Sequence, residues 1–162
     1  MPILEQWLAR GEKIALATVV QAQGPSPRPV GARMAVTASG KMAGSVSGGC
    51  LEGAVFREAQ EVLKGAPPKR LRYGLADEEG WEVGLACGGT IEVYLEPLAP
   101  IHARLLEALR VDETVALVTR LDGGGHLLAW PDGRMEGDRP LADVLDDALP
   151  GPLHPPVGPG QE

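Results

Sequence analysis

The alternation of apolar and polar residues predicts an α/β fold, in which a mixed β-sheet carries flanking helices. Apolar residues three and four positions apart predict helices over 3–10 and 51–64, because such positions share one helix face. Segments rich in β-branched and small apolar residues predict five strands, at residues 13–21, 32–37, 41–46, 69–75 and 91–96. The second and third strands form a β-hairpin around a compact turn. We therefore expect one sheet with the 51–64 helix packed on one face.

A smaller α/β pattern follows residue 98. It predicts a helix, two strands and a short acidic helix, at residues 101–110, 114–121, 126–130 and 140–149. The final residues are rich in proline and glycine and have little to bury, which is typical of a disordered tail. The sequence thus predicts a main domain, a small C-terminal α/β extension and a tail, at residues 1–98, 99–150 and 151–162.

Charge and cysteine content exclude several classes of function. The chain has 22 acidic and 15 basic residues and a net charge of −7, whereas nucleic-acid partners select basic surfaces. The longest apolar run, at 14–20, is far shorter than the ~20 residues of a membrane-spanning helix, and the first residues lack a signal-peptide pattern. Two cysteines in this length do not form a disulfide framework. We therefore expect a cytoplasmic protein with free thiols and with neither nucleic acid nor membrane as a partner.

The amide and proline content predicts thermostability. The chain contains no asparagine, fifteen prolines, and eleven arginines against four lysines. Few thermolabile amides and many prolines are typical of heat-adapted proteins. A GC-rich genome would bias the composition in the same direction, so both origins stay open.

The candidate chemistry begins at the loop before the 51–64 helix. Ser47, Gly48, Gly49 and Cys50 stand where backbone N–H groups at a helix N-terminus can receive an anion, and where a thiolate is favoured over a thiol. The alternative interpretation is a tight turn in which a small buried cysteine fills space. Glu52 most simply favours the helix dipole, and a role as a proton relay near the thiol is the alternative.

Two further loops carry related residues. Cys87 precedes Gly88 and Gly89, and the proline-rich loop over 24–33 contains Arg28 and Arg33. An arginine offers a fork of donors suited to phosphate oxygens, although either arginine alone is equally well a solvated surface charge. One helix N-terminus contributes only ~0.3–1 kcal/mol, whereas micromolar binding needs ~8 kcal/mol. A functional site therefore requires these loops to converge and to bring both sulfurs into one pocket.

Other constellations in the sequence carry weaker signals. The three histidines, His102, His126 and His154, have no metal-ligand spacing, so a zinc site formed with the cysteines is a minor alternative. Glu92 and Glu96 share one strand face and are interpreted as solvent-facing.

The motifs together resemble a known family. The stretch GPSPRPVGARMAVTASGKMAGSVSGGCLEGAVF, followed by GLACGGTIEVYLEPL, closely resembles the N-terminal domain of the XdhC/CoxI family, the accessory proteins of xanthine dehydrogenase and related molybdenum hydroxylases. The resemblance runs from about residue 12 to residue 98. It implies a non-catalytic chaperone, rather than an enzyme, that binds molybdenum cofactor and protects it from oxidation. It further implies that the protein presents the cofactor to a cysteine desulfurase for sulfuration and inserts it into the apo-enzyme.

The resemblance also implies roles for individual residues. Cys50 and Cys87 become candidates to contact the molybdenum or its sulfur ligands, while the paired glycines with Ser47 shape the loops. Arg28 and Arg33 would meet the phosphate of molybdopterin or of its dinucleotide form. Many family members continue into a Rossmann-type domain. Residues 99–162 have no family assignment, so either the N-terminal domain suffices or a partner chain supplies the other half.

Two other functions stay open at this point. In the first, the protein is a thiol-dependent sulfur-transfer or redox protein, in which Cys50 carries a persulfide and Cys87 resolves it. In the second, it is a structural or regulatory component of a hydroxylase and has no cofactor of its own. A homodimer would cover sheet edges under any of the three functions.

Overall fold

The computed structural model describes residues 2–26, 28–74 and 88–144. They belong to two compact units, of which the first contains residues up to Leu98 and the second most of the residues from Ala99 onward. The predicted tail, Cys87 and His154 lie outside the described residues. No described helix has both the length and the apolar character needed to cross a bilayer.

The first unit is built on a five-stranded sheet. Its strands are β1 (Ile14–Gln23), β2 (Arg33–Thr37), β3 (Met42–Gly44), β4 (Lys69–Tyr73) and β5 (Thr90–Pro97), in the order β3-β2-β1-β5-β4. The α/β class is confirmed, but every pair in the sheet is antiparallel, where a mixed sheet was expected. The short β2–β3 turn can join only antiparallel strands, and β1 takes antiparallel neighbours on both sides.

Helices cover both faces of this sheet. Helix α1 (Pro2–Ala9) buries Trp7 against a cluster that includes Ile14 and Leu16. Helix α2 (Glu52–Leu63) lies on the other face and carries the chain from edge strand β3 to edge strand β4. Its buried residues Val55, Ala59 and Val62 recur at helical spacing, which confirms the predicted helix.

Small aliphatic residues form the core beneath α2. Its fully buried members include Ala17, Val19 and Val93, as expected for a chain with only 4% aromatic residues. On the other face Glu96 is buried, with 4% exposure, so its solvent-facing interpretation is wrong. It is paired with Leu16 of β1, which belongs to the same buried cluster as Trp7 of α1.

The second unit combines one helix with a three-stranded antiparallel sheet. Helix α3 (Pro100–Arg110) precedes β6 (Ala116–Thr119), β7 (His126–Ala129) and β8 (Met135–Gly137), in the order β6-β7-β8. The sequence pattern did not indicate β8, because three residues are too few for an alternation to be recognised. The predicted 140–149 helix corresponds to a 3-10 helix at Arg139–Val144, and residues 145–149 lie outside the described residues.

Candidate functional site

Three glycine-rich loops leave the five-stranded sheet at the same end of its strands. β1 ends there, β2 begins there, β3 ends there and β5 begins there, because antiparallel neighbours place the end of one strand beside the start of the next. The loops at 24–32, 45–51 and 88–89 therefore emerge along one line. β3 and β5 are three strand spacings apart, about 14 Å, so a ligand that touches the outer loops must span a comparable distance.

The first and third of these loops are packed directly against each other. A Cβ added to Gly89 would lie 2.1 Å from the carbonyl oxygen of Pro25, and one added to Gly24 would lie 3.5 Å from the Cα of Gly89. The loop at 24–32 also folds back on β1, where Gly31 donates to the carbonyl of Val19 at 2.8 Å. Position 89 thus requires a glycine because two backbones approach each other closely there.

Arg33 connects the first loop to the second. Its carbonyl accepts a hydrogen bond from the Ser45 N–H at 3.0 Å, and a Cβ on Gly44 would lie 2.2 Å from the same oxygen. The Arg33 Nε is buried and has no hydrogen-bond partner among the described residues. Arg28 lies exposed in the first loop. Since a buried donor is costly without an acceptor, Arg33 is a ready partner for an anion.

The loop before α2 is organised around the Glu52 carboxylate, which accepts five hydrogen bonds. The hydroxyls of Ser45 and Ser47 donate to it at 2.6 and 2.5 Å. The backbone N–H groups of Val46, Ser47 and Gly49 donate at 3.2, 3.0 and 2.8 Å. Two of the four amides expected to receive an anionic ligand, those of Ser47 and Gly49, are therefore engaged by a carboxylate of the chain itself.

These contacts keep Glu52 ionised. Partial burial acts to raise its pKa, but the hydrogen bonds from Ser45 and Ser47 outweigh burial and lower the pKa to about 2. Two further bonds close the loop on itself, since the Gly48 N–H donates to Ser45 Oγ at 2.9 Å and the Leu51 N–H to Ser47 Oγ at 2.8 Å. The loop is thus held in one shape without a ligand.

Cys50 stands at the outer side of this loop as a free, exposed cysteine. The alternative interpretation of Cys50 as a buried space-filling residue is therefore wrong. Gly48 and Gly49 before it have φ values of +74° and +124°, which glycine adopts without strain. A Cβ at Gly49 would meet no atom of the described residues within 4 Å. Gly88, which precedes Gly89 in the third loop, has φ +77°.

Two of the histidines contact each other in the second unit. The rings of His102 and His126 meet edge to face with centroids 4.7 Å apart. The Ala99 N–H donates to His102 Nδ1 at 3.0 Å, which fixes the orientation of this buried ring. The contact joins α3 to β7, and sequence spacing gave no sign of it.

Sequence reasoning missed the central role of Glu52 and did not single out Ser45. The only available signal was an acidic residue in the first helical turn after a glycine loop, which indicates a favourable helix dipole and no more. Ser45 follows directly after β3, where its hydroxyl both donates to Glu52 and accepts from Gly48.

Comparison with known proteins gives consistent relatives. Residues 7–74 match the sequence model of the XdhC and CoxI family. The chain is 34% identical over 116 residues to the molybdenum cofactor insertion chaperone PaoD of Escherichia coli (strain K12), covering 71% of this chain and 36% of that protein. It is 28% identical over 150 residues to a Bacillus subtilis (strain 168) protein named as a probable xanthine dehydrogenase subunit, covering 88% and 46%.

A solved structure is also similar. The crystal structure of a protein described as a xanthine dehydrogenase from Bacillus halodurans superimposes with a TM-score of 0.70 and 28% identity, covering 85% of this chain and 44% of that one. The chain thus spans less than half the length of each of these three proteins.

Proposed function

We propose that this chain, whose residues 7–74 match the sequence model of the XdhC and CoxI family, takes part in molybdenum cofactor maturation. In this role it holds the cofactor and delivers it to a xanthine dehydrogenase-type hydroxylase. The relative PaoD is named as an insertion chaperone for this cofactor, and the name of the Bacillus subtilis relative refers to xanthine dehydrogenase. Both names support the proposal.

The observation that carries the proposal is the exposed Cys50 thiol on a loop that Glu52 holds rigid. A thiolate is a soft ligand, and a soft ligand suits a sulfur-rich molybdenum centre. Arg33 lies at the start of β2, its buried Nε has no hydrogen-bond partner in the part of the chain that the structure describes, and its guanidinium suits the phosphate of the cofactor. The donor set therefore fits the cofactor through a thiol and a guanidinium, while the loop amides act only as scaffold.

Several finer points belong to the same proposal. Cys87, which directly precedes Gly88 and Gly89 in the sequence, acts as a second thiol. The exposed position of Cys50 supports presentation of the bound cofactor to a cysteine desulfurase for sulfuration. The protein works in the cytoplasm, where thiols stay reduced, and a second copy of the chain covers the open edge of the sheet at β3.

The test is cofactor analysis of the full chain, purified without oxygen from a molybdenum-replete host. We expect molybdenum and pterin in equal amounts in the wild type, and at least a tenfold loss of both in Cys50→Ser. The matched control is Ala38→Ser, which places the same side chain in the exposed β2–β3 turn, at the opposite end of these strands. It is expected to retain the cofactor. Equal retention in the Cys50→Ser variant, or a wild type without molybdenum and pterin, contradicts the proposal.

A second function is favoured by the same free thiol. In thiol-dependent sulfur transfer, the Cys50 thiolate attacks the outer sulfur of a desulfurase persulfide. The old S–S bond breaks, the desulfurase cysteine leaves as a thiolate, and Cys50 keeps the persulfide. Incubation with a cysteine desulfurase and cysteine, followed by intact-mass measurement, would then add one sulfur atom to the wild type and none to the Cys50→Ser variant. A persulfide on a chain that carries no cofactor would favour this function, and absence of both would favour a purely structural role.

A further inference from the structure

A polar cleft opens on the face of the five-stranded sheet that α2 does not cover. Five side chains from three strands line its volume of about 170 Å³, and these are Gln21, Gln23, Arg72, Thr90 and Glu92. Thr90 and Glu92 alternate along β5 with Ile91 and Val93, which are buried under α2. The cleft therefore lies on the opposite face of the same sheet.

The strand register arranges these side chains in two rows. Gln21 of β1 pairs with Glu92 of β5, and Glu92 pairs on its other side with Arg72 of β4. The second row contains Gln23 and Thr90. Gln23 directly precedes the proline-rich loop, and Thr90 directly follows Gly88 and Gly89, so the cleft adjoins two of the three site loops.

The side chains that line the cleft combine hydrogen-bond acceptors with donors. Glu92 supplies two carboxylate oxygens and lies in a salt bridge with Arg70, whose Nη1 is 3.2 Å from Oε1. Arg72 supplies a guanidinium, and the two glutamines supply carboxamides that both donate and accept. A carboxylate between donor groups complements a flat ring edge with two adjacent N–H groups and a carbonyl oxygen. A 2-amino-4-oxopyrimidine has such an edge.

We propose that this cleft recognises the 2-amino-4-oxopyrimidine edge of a pterin, with Glu92 accepting its two N–H groups and Arg72 donating to its carbonyl oxygen. The inference rests on the proposed function, because the pterin is the organic part of the cofactor. Pockets for complete drug-sized ligands measure about 300–1,000 Å³, so a cleft of about 170 Å³ holds one ring system and leaves the remainder to the adjoining loops. Guanine presents the same edge, and the experiment separates the two sources.

The test uses the full chain purified from a host that makes no molybdenum cofactor, titrated with free pterin and followed by pterin fluorescence anisotropy. Glu92→Gln replaces one acceptor oxygen with a donor and is expected to weaken pterin binding at least tenfold. Arg70→Gln removes the same ion pair but keeps the carboxylate, and it is expected to bind pterin as the wild type does. Thermal unfolding of both variants shows whether the fold is retained.

Two other probes test the chemistry of the edge. Lumazine carries a carbonyl in place of the 2-amino group, so the wild type should bind it at least tenfold more weakly than pterin, and Glu92→Gln should remove that preference. Guanosine monophosphate reports on guanine as the source. If it binds at least tenfold more tightly than pterin and depends on Glu92, the assignment to pterin is overturned.

The outcomes separate this inference from the proposed function. Undiminished pterin binding by Glu92→Gln, or equal wild-type affinity for pterin and lumazine, overturns the cleft assignment. A wild type that retains molybdenum cofactor during purification but does not bind free pterin also overturns it, while the proposed function stands. Conversely, Glu92-dependent pterin binding by a chain that never retains molybdenum supports the cleft and contradicts the chaperone function.

Discussion

Replacing Glu52 with glutamine tests whether an internal carboxylate holds the Cys50 loop in shape. Glutamine keeps one acceptor oxygen but turns an NH₂ group toward donors that Glu52 now satisfies, among them Ser47 Oγ and the Gly49 N–H. The pKa of Glu52 falls from 4.5 to about 2 in the folded protein, and at about 1.4 kcal/mol per pKa unit this corresponds to about 3 kcal/mol. Because the side chain is partly open to solvent, we expect a loss of about 1–2 kcal/mol at pH 7.

The sign of the pH dependence follows from the lowered pKa. The carboxylate stabilises the fold fully above the unfolded pKa of about 4.5, and this stabilisation disappears as the pH falls toward the folded value of about 2. Roughly half or more of it should be lost by pH 3. The Glu52→Gln variant lacks this ionisation, so the difference in stability between variant and wild type should shrink between pH 5 and pH 3.

The assay is urea denaturation at pH 7, 5 and 3. Unfolding is monitored by hydrogen exchange, so that the stability of the five-stranded sheet is measured separately from that of the second unit. Exchange of the Ser47 and Gly49 amides at pH 7 reports directly on the loop and should accelerate in the variant. Glu61→Gln, on the exposed side of α2, is the control and should leave both measurements nearly unchanged. Two results would refute the role of Glu52. One is that the loop amides of the Glu52→Gln variant exchange as slowly as those of the wild type, and the other is that the difference in stability between the two proteins is the same at pH 5 and pH 3.

Four further substitutions test the packing around the site. Gly44→Ala places a Cβ 2.2 Å from the Arg33 carbonyl at φ +81° and should cost about 2 kcal/mol or more in urea denaturation, whereas Gly53→Ala, inside α2 with no atom within 4 Å, should gain about 0.5–1 kcal/mol. A Gly44→Ala variant as stable as the wild type would contradict the close approach. Gly89→Ala meets the Pro25 carbonyl at 2.1 Å and should lower Tm by about 5 °C or more together with cofactor retention, and an unchanged Tm would show that the two loops can separate freely. Burial raises the pKa of Tyr73 to about 12, so the neutral phenol stabilises the fold below pH 10, and this contribution is lost between pH 10 and 12. Tyr73→Phe should lack this part of the alkaline loss of stability and the matching phenolate absorbance change, and a Tyr73 that titrates near pH 10 would contradict its burial.

The local elements could be predicted from the sequence because neighbouring residues determine them. Helix α2 is visible in the spacing of Val55, Ala59 and Val62, and its end is visible in Gly65, which has φ +111°. The pairing of β1 with β5 joins residues about 75 positions apart, and local periodicity carries no information on such partners. The burial of Glu96 was missed for the same reason, since its strand partner Leu16 lies far from it in the sequence.

In the candidate site, too, local features could be predicted from the sequence and long-range contacts could not. Glycines beside Cys50 correctly predicted a loop at a strand-to-helix junction, and residue types alone supplied that signal. Whether the loop amides receive a foreign anion or Glu52 depends on distances of a few tenths of an ångström. An attached carboxylate also has a high effective concentration, so it competes well with any free anion. The polar cleft could not be predicted because Gln21, Arg72 and Glu92 come together only through the register of three strands.

The loop around Glu52 satisfies its hydrogen bonds within the chain, and this has a consequence for how a ligand would bind and dissociate. Its backbone is ordered before any encounter, so capture requires little loss of chain entropy at that point, and departure does not require the loop to collapse. Inorganic phosphate or sulfate in the medium should find no vacant amide cradle beside the thiol. Alkylation of Cys50 should therefore proceed at the same rate in phosphate as in a buffer without oxyanions at equal ionic strength.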